Sequence, residues 1–167
     1  MKQINHDDFI SNTHDKEIIF ICCSLQSPSN LGSICRVAEA FGVSKLYIHE
    51  ENLSFLNLPR FVKTARHSHR NITKRSFTNL EQLIIELKKK QTKCMALEYC
   101  DKSESIVSLK ATGKIALVVG NEKYGIDKTV LDMVDGVFHI DMYGKNSSMN
   151  VSQASAIALY QLVNHCK

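Results

Sequence analysis

Three short stretches concentrate residues that could do chemistry: Ser29-Asn30-Leu31-Gly32-Ser33-Ile34-Cys35-Arg36, Val119-Gly120-Asn121-Glu122-Lys123-Tyr124-Gly125 and Gly144-Lys145-Asn146-Ser147-Ser148-Met149-Asn150-Val151-Ser152. Each reads as a loop after an apolar strand and ahead of a helix. In open parallel sheets such loops gather beyond the carboxyl ends of the strands, where ligands bind. No G-x-G-x-x-G occurs, so a dinucleotide site is not indicated. Gly120 to Gly125 has the spacing of a phosphate-binding loop, but Ile126 stands where the phosphate-reaching lysine would be needed. That excludes a standard NTPase. A ligand held by backbone and apolar side chains, with no phosphate to grip, stays open, and S-adenosylmethionine is of that kind.

The elements that must position these loops follow from periodicity. Glu17–Leu25 (EIIFICCSL) reads as a buried strand, Gln26–Gly32 as a loop, Ser33–Phe41 as a helix stopped by Gly42, and Lys45–His49 as a second strand. That is a βαβ unit with a parallel pair. Thr78-Asn79-Leu80-Glu81 reads as a capping box with Thr78 as cap, opening a helix with Leu80, Leu83, Ile84 and Leu87 on one stripe. Strands are expected at Lys93–Tyr99, Lys114–Val119 and Val137–Met142. A short helix is expected from about Asp127, and a last helix from about Asn150 to His165. The expected fold is α/β, a mostly parallel sheet with helices on both faces. The last helix is apolar nearly all round, which calls for cover on two sides; the sheet supplies one and a second copy of the chain could supply the other.

The 167 residues fit one domain, 1–167, with residues 1–16 as a polar N-terminal extension that lacks the apolar region of a signal peptide. No run approaches the roughly 20 apolar residues that cross a bilayer, so no membrane is expected. The six cysteines, Cys22, Cys23, Cys35, Cys94, Cys100 and Cys166, show no C-x-x-C spacing and read as reduced thiols of a cytoplasmic protein. His67 and His69 have no carboxylate or cysteine beside them, so no metal is expected. The net charge of +4 is mild, but its distribution is not. Between Glu51 and Glu81 there is no acid, while Arg60, Lys63, Arg66, Arg70, Lys74 and Arg75 fall in that window. Such one-signed clustering is the footprint of a phosphate-backbone partner, and the first four are the candidate RNA contacts.

The three loops resemble, in order, the three motifs of the SpoU (TrmH-type) branch of the SPOUT RNA methyltransferases. Asn30, Gly32 and Arg36 with Ala38-Glu39-Ala40-Phe41-Gly42 match the first. Leu117-Val118-Val119-Gly120-Asn121-Glu122 with Gly125 match the second, and Gly144, Ser148, Asn150, Val151 and Ser152 with Ala154, Ala156 and Tyr160 match the third. Asp141-Met142-Tyr143, where the family often has Ile-Pro-Met, and Met149, where Leu is usual, depart from the pattern.

The resemblance implies a C-terminal trefoil knot and a homodimer with each site completed at the subunit interface. It implies S-adenosylmethionine as donor, held by Leu97, Gly120, Ile140 and Met149, and a ribose 2′-hydroxyl of RNA as acceptor. Arg36 takes the catalytic position, with Asn30, Glu122, Ser148 and Asn150 around it. A guanidinium is effectively never deprotonated, so Arg36 is read as a clamp on phosphate and incipient alkoxide rather than a base. Asn30 is expected to orient Arg36, and Glu122 to hold the ribose or pair with Arg36. Asn30 and Asn150 could instead serve only as cap or turn residues, and Ser148 as a cap. The small size favours tRNA over rRNA; a catalytically silent RNA-binding protein is the other alternative.

Overall fold

The computed structural model describes residues 10–110 and 112–164. The first nine residues of the expected extension, Cys166 and the expected helix end at His165 lie outside the described residues. Seven strands form one sheet in the order β3-β2-β1-β6-β4-β7-β5. They are β1 (Glu17–Cys22), β2 (Lys45–His49), β3 (Lys74–Phe77), β4 (Lys93–Leu97), β5 (Glu104–Ser105), β6 (Lys114–Val119) and β7 (Gly136–His139). Every pairing is parallel. The helices are α1 (Pro28–Ala40), α2 (Pro59–Ala65), α3 (Ser68–Asn71), α4 (Leu80–Lys89), α5 (Lys128–Leu131) and α6 (Val151–Asn164).

Alternation along the central strands builds two cores. Ile18, Phe20 and Cys22 of β1, with Ile115, Leu117 and Val119 of β6, point to one side, against Leu31 and Ile34 of α1, Phe61 of α2 and Leu159 of α6. Ile19, Ile21, Ala116 and Val118 point to the other, against Leu83, Ile84 and Leu87 of α4 and Val130 of α5. A central parallel strand is covered on both faces, which is why β1 and β6 are unbroken apolar runs rather than alternating ones.

The expected strands and helices are present, β2 and β6 over their expected spans and the others with shifted ends. β1 stops at Cys22, β4 at Leu97 and β7 at His139, because their ladder partners end there and the chain turns away above the sheet. The expected loop at Gln26–Gly32 is mostly helix: Ser27 caps α1 and Pro28 opens it. Pro, Ser and Asn spell a turn by composition, but the same residues are favoured at helix starts. Likewise the cap of α4 is Asn79, whose Oδ1 accepts from Gln82 N at 2.7 Å, and not Thr78. Asparagine outranks threonine in that position.

The acid-free segment, expected only as a basic stretch, folds into a 3₁₀ turn (Glu50–Asn57), α2, α3 and the edge strand β3. Its entry is pinned by Asn52, fully enclosed, whose amide accepts from Leu25 N at 2.6 Å and donates to Leu25 O at 2.8 Å. At the other end of the chain, Lys16 is buried and its Nζ donates to Leu162 O and Val163 O, compensating the carboxyl end of α6. The last residue of the segment read as an extension is thus part of the packed body. α6 buries Ala158, Leu159 and Leu162 and leaves Ile157 and Tyr160 exposed, the latter edge-on to Phe41.

Candidate active site

The carboxyl ends of β1, β4, β6 and β7 open into one cavity of about 800 Å³. The strand order changes direction there: the chain runs from β1 outward through β2 to β3, whereas β6 and β4 lie on its other side. Such a switch point is where an open parallel sheet takes its ligand.

Two glycines set the shape of the β6 loop. Asn121 and Gly125 exchange backbone hydrogen bonds at 3.0 and 2.9 Å, folding the loop back over Gly120. A Cβ at Gly120 would lie 2.5 Å from the Gly125 carbonyl carbon, so only glycine fits. Gly125 has φ +67, a left-handed conformation that side chains disfavour. The Asn121 side chain completes the turn, accepting from Lys123 N and Tyr124 N and donating to Ser24 O after β1. Glu98, at the end of β4, accepts from Ile126 N at 3.0 Å and fixes the far side.

The three motif segments meet through one chain of side chains. Asn30 Nδ2 donates to Glu122 Oε1 at 2.8 Å, and Glu122 Oε2 accepts from Gln26 N at 2.8 Å. Asn150 Nδ2 donates to Asn30 Oδ1 at 3.0 Å, while Asn150 Oδ1 accepts from Ser152 N and Ser152 Oγ, capping α6. Asn150 is therefore a cap and a network residue at once, whereas Asn30 lies in the first turn of α1, capped by Ser27, and its side chain serves the network alone. Asn150, not Ser148, caps α6; Ser148 stays exposed on the cavity lining.

Leu97, Gly120, Ile140 and Met149, expected around a donor, all line the cavity, as do Asn30, Glu122 and Asn150. Arg36 does not. It is exposed and lines a second cavity, of about 550 Å³, between α1 and α2. The expected contacts of Asn30 and Glu122 with Arg36 are absent among the described residues: both side chains are committed to each other. The reason is helical geometry, since six residues along α1 turn a side chain by about 240° from Asn30. Gly32 likewise lies within α1 rather than in a bend. A Cβ there would sit 2.0 Å from Thr64 Oγ1 and 2.7 Å from Phe61 O, so this glycine lets α2 lie directly on α1.

Of the RNA candidates, Arg60 and Lys63 lie on α2, Arg66 follows it and Arg70 lies on α3; all four are exposed. Three supports went unread in the sequence: Asn52, Glu98 and His139. His139 lines the donor-sized cavity with Nδ1 2.9 Å from Ser103 Oγ and Nε2 3.5 Å from Asp141 Oδ1. Asp141, one of the departures from the family pattern, also accepts from Ser105 Oγ, tying the exit of β7 to β5. The spacing His-x-Asp was visible, but nothing in it named Ser103 as a partner.

The cavity's chemistry fits an adenosyl sulfonium. Its volume lies within the usual range for ligand pockets, roughly 300 to 1,000 Å³. Leu97, Ile140 and Met149 offer apolar contact for an adenine, and Lys123 is the one Lys or Arg on its lining. Four thiols are poor nucleophiles: burial pushes Cys23 and Cys35 up to about 12 and Cys94 up to about 11, and Cys22 rises too. Among the described residues, no group of three or more His, Cys, Asp or Glu side chains is placed to hold a metal.

The sheet, the cavity at its switch point and the three linked motifs define an open parallel α/β protein with a ligand site at its strand ends. The chain belongs to the SpoU rRNA methylase family, whose profile matches residues 17–160. The 23S rRNA (guanosine-2′-O-)-methyltransferase of Xylella fastidiosa is 28% identical, over 95% of this chain and 64% of its own length. A TrmH/SpoU tRNA modifying enzyme of A. aeolicus has a TM-score of 0.79 and 26% identity, over 89% of this chain and 75% of that one. The SpoU methyltransferase AviRb of Streptomyces viridochromogenes, in complex with AdoMet, shares the fold at 21% identity and TM-score 0.77, over 98% and 62%. The chain spans between 57% and 64% of the length of the curated relatives it matches.

Proposed function

We propose that this chain transfers a methyl group from S-adenosylmethionine to a ribose 2′-hydroxyl of RNA, with tRNA favoured over rRNA as substrate. The observation that carries this reading is the single side-chain chain Glu122–Asn30–Asn150, which joins all three motif segments at the mouth of one apolar-walled cavity. The donor, when bound, supplies a methyl on a positively charged sulfur. Leu97, Gly120, Ile140 and Met149 hold its adenosine, and Glu122 and Ser148 lie at the rim where an acceptor ribose enters. The A. aeolicus tRNA modifying enzyme supports tRNA, the Xylella rRNA enzyme supports ribose as acceptor and keeps rRNA open, and the AdoMet complex of AviRb supports the donor.

The rest of the assembly belongs to the same proposal. The segment after β7 threads a trefoil knot, the chain acts as one domain in the cytoplasm, and it works as a homodimer through the α1–α6 face that leaves Ile157 and Tyr160 exposed. In that dimer Arg36 serves the donor cavity of the second copy, which accounts for its distance from its own. There it grips the RNA phosphate and the developing alkoxide, while phosphate or water takes the proton.

The test is co-expression of two variants, Arg36→Ala and Gly120→Ala, each expected to be inactive alone. Mixed dimers regain methylation, since one intact cavity then meets one intact arginine. Near-normal turnover by Arg36→Ala alone would end the catalytic assignment. Failure of complementation with stable mixed dimers would end the shared site.

A further inference from the structure

The second cavity is more than a gap between helices. Ser33 and Arg36 rise from α1 at a spacing of three, and Lys63 and Arg66 stand against them from α2 and its end at the same spacing. Residues three apart in a helix share a face, so the two pairs converge across the groove. Val37 gives an apolar floor, and Thr64 lines the groove with its hydroxyl turned back to the carbonyls of Arg60 and Phe61. No carboxylate lines the cavity. Glu39, the acid nearest in sequence on α1, is turned away toward Ser68 Oγ and Asn71 Nδ2, both at 3.4 Å. Among the described residues, none of the three cations pairs with an acid.

Two features mark this convergence as built. Gly32 removes the side chain that would hold α2 away from α1, and so brings Lys63 and Arg66 beside Arg36. Arg66 itself has φ 51 and ψ −133, a conformation that glycine takes freely and an arginine does not. A surface loop that needed only this bend would be better served by glycine. The guanidinium is kept there at the expense of the backbone, at the lip of the α1–α2 cavity.

We propose that the α1–α2 cavity is a phosphodiester-binding subsite for the RNA strand, with Lys63 and Arg66 as its grip beside Arg36. This rests on the RNA methyltransferase reading and adds to it which phosphate contacts position the strand. The hydroxyl of Ser33 and the fork of Arg66 suit the oxygens of a backbone phosphate. The subsite carries no base-reading group, so its contribution is independent of sequence.

The experiment measures binding of a labelled single-stranded oligoribonucleotide and of tRNA across a salt series. Lys63→Ala, Arg66→Gly and a control, Lys93→Ala at the opposite end of the sheet, are compared with the unaltered protein. Each of the first two is expected to weaken binding several-fold and to reduce the slope of log affinity against log salt by about 0.7 to 0.9. Lys93→Ala changes neither. Arg66→Gly keeps or raises the melting temperature because the strain is relieved, so its loss of affinity is not a loss of fold. Calorimetry with S-adenosylmethionine reads the donor cavity separately.

If unaltered protein binds RNA and both variants keep its slope, the subsite is wrong while the RNA reading stands. Tight binding of inorganic phosphate by calorimetry, with RNA slopes unchanged, makes it a free-anion site and overturns the proposal. If the unaltered protein binds no RNA, the subsite falls with the broader reading.

Discussion

The donor-sized cavity and the basic α1–α2 face are built in opposite ways. The cavity is shaped by backbone: Gly120 admits the folded loop, Gly125 turns it, Asn121, Glu98 and Asn150 satisfy the amides that the turns expose, and Asn30 links Glu122 to Asn150. Its side chains hold one another rather than reach outward. The basic face is shaped by burial from below. Phe61 and Ala65 anchor α2 in the core, and the cations stand on the exposed side without partners among the described residues. The first region is preorganised and intolerant; the second is adjustable, and its charges are available to a mobile strand. The proposed transfer from a small donor to a polyanion calls for both kinds of surface.

The largest effect is expected where the backbone leaves no room. Gly120→Ala puts a methyl 2.5 Å from the Gly125 carbonyl carbon, between two pieces of backbone that cannot rotate away. The loop must unfold its Asn121–Gly125 pairing, so calorimetry should find S-adenosylmethionine affinity down by 100-fold or more, about 2.8 kcal/mol at 1.4 per decade. RNA affinity, read from the basic face, should stay within a few-fold of normal. Equal losses of both would erase the division between the two regions.

Gly32→Ala is the matching change on the other region. Its methyl meets Thr64 Oγ1, which rotates, but also Phe61 O at 2.7 Å, which does not. α2 is then displaced from α1, at about 1 to 3 kcal/mol by the usual cost of overpacking. Denaturant melts should show that loss, and the RNA salt slope should fall because Lys63 and Arg66 move away from Arg36. Donor affinity should be nearly unchanged, since Gly32 does not line that cavity. A drop in donor affinity as large as the drop in RNA affinity would show that α1 transmits strain between them.

The sequence discloses these two regions unequally. The strands around the cavity and the motif residues that line it are legible because apolar runs and glycine-asparagine punctuation are local signals. β2 and β6 match their expected spans to the residue. The partners across the fold were not: Glu98 with Ile126, Asn52 with Leu25 and His139 with Ser103 join segments 27 to 36 residues apart, and no periodicity encodes that. Arg36 shows the same limit. Its motif places it with Asn30, and only the turn of α1 reveals that it faces Lys63 and Arg66 instead. The edge strand β3 was hidden by its charge, since Lys74 and Arg75 are what keep an exposed edge from pairing.

The smallest effect asks whether Asn150 matters as a cap or as a bridge. Its Oδ1 caps α6 and its Nδ2 holds Asn30, so the two duties use different atoms of one amide. Asn150→Ser keeps a hydroxyl that caps about as well, so stability should change by a few tenths of a kcal/mol only. The bond to Asn30 is lost, along with the link between the first and third segments. On an exposed site that bond is worth about 0.5 to 1.5 kcal/mol, which sets the expected loss of donor affinity at up to about tenfold. Asn150→Ala loses both duties and should add about 1 kcal/mol of instability on top. A serine variant that binds donor normally would leave Asn150 as a cap alone, and the junction of the three segments would then rest on Asn30 and Glu122.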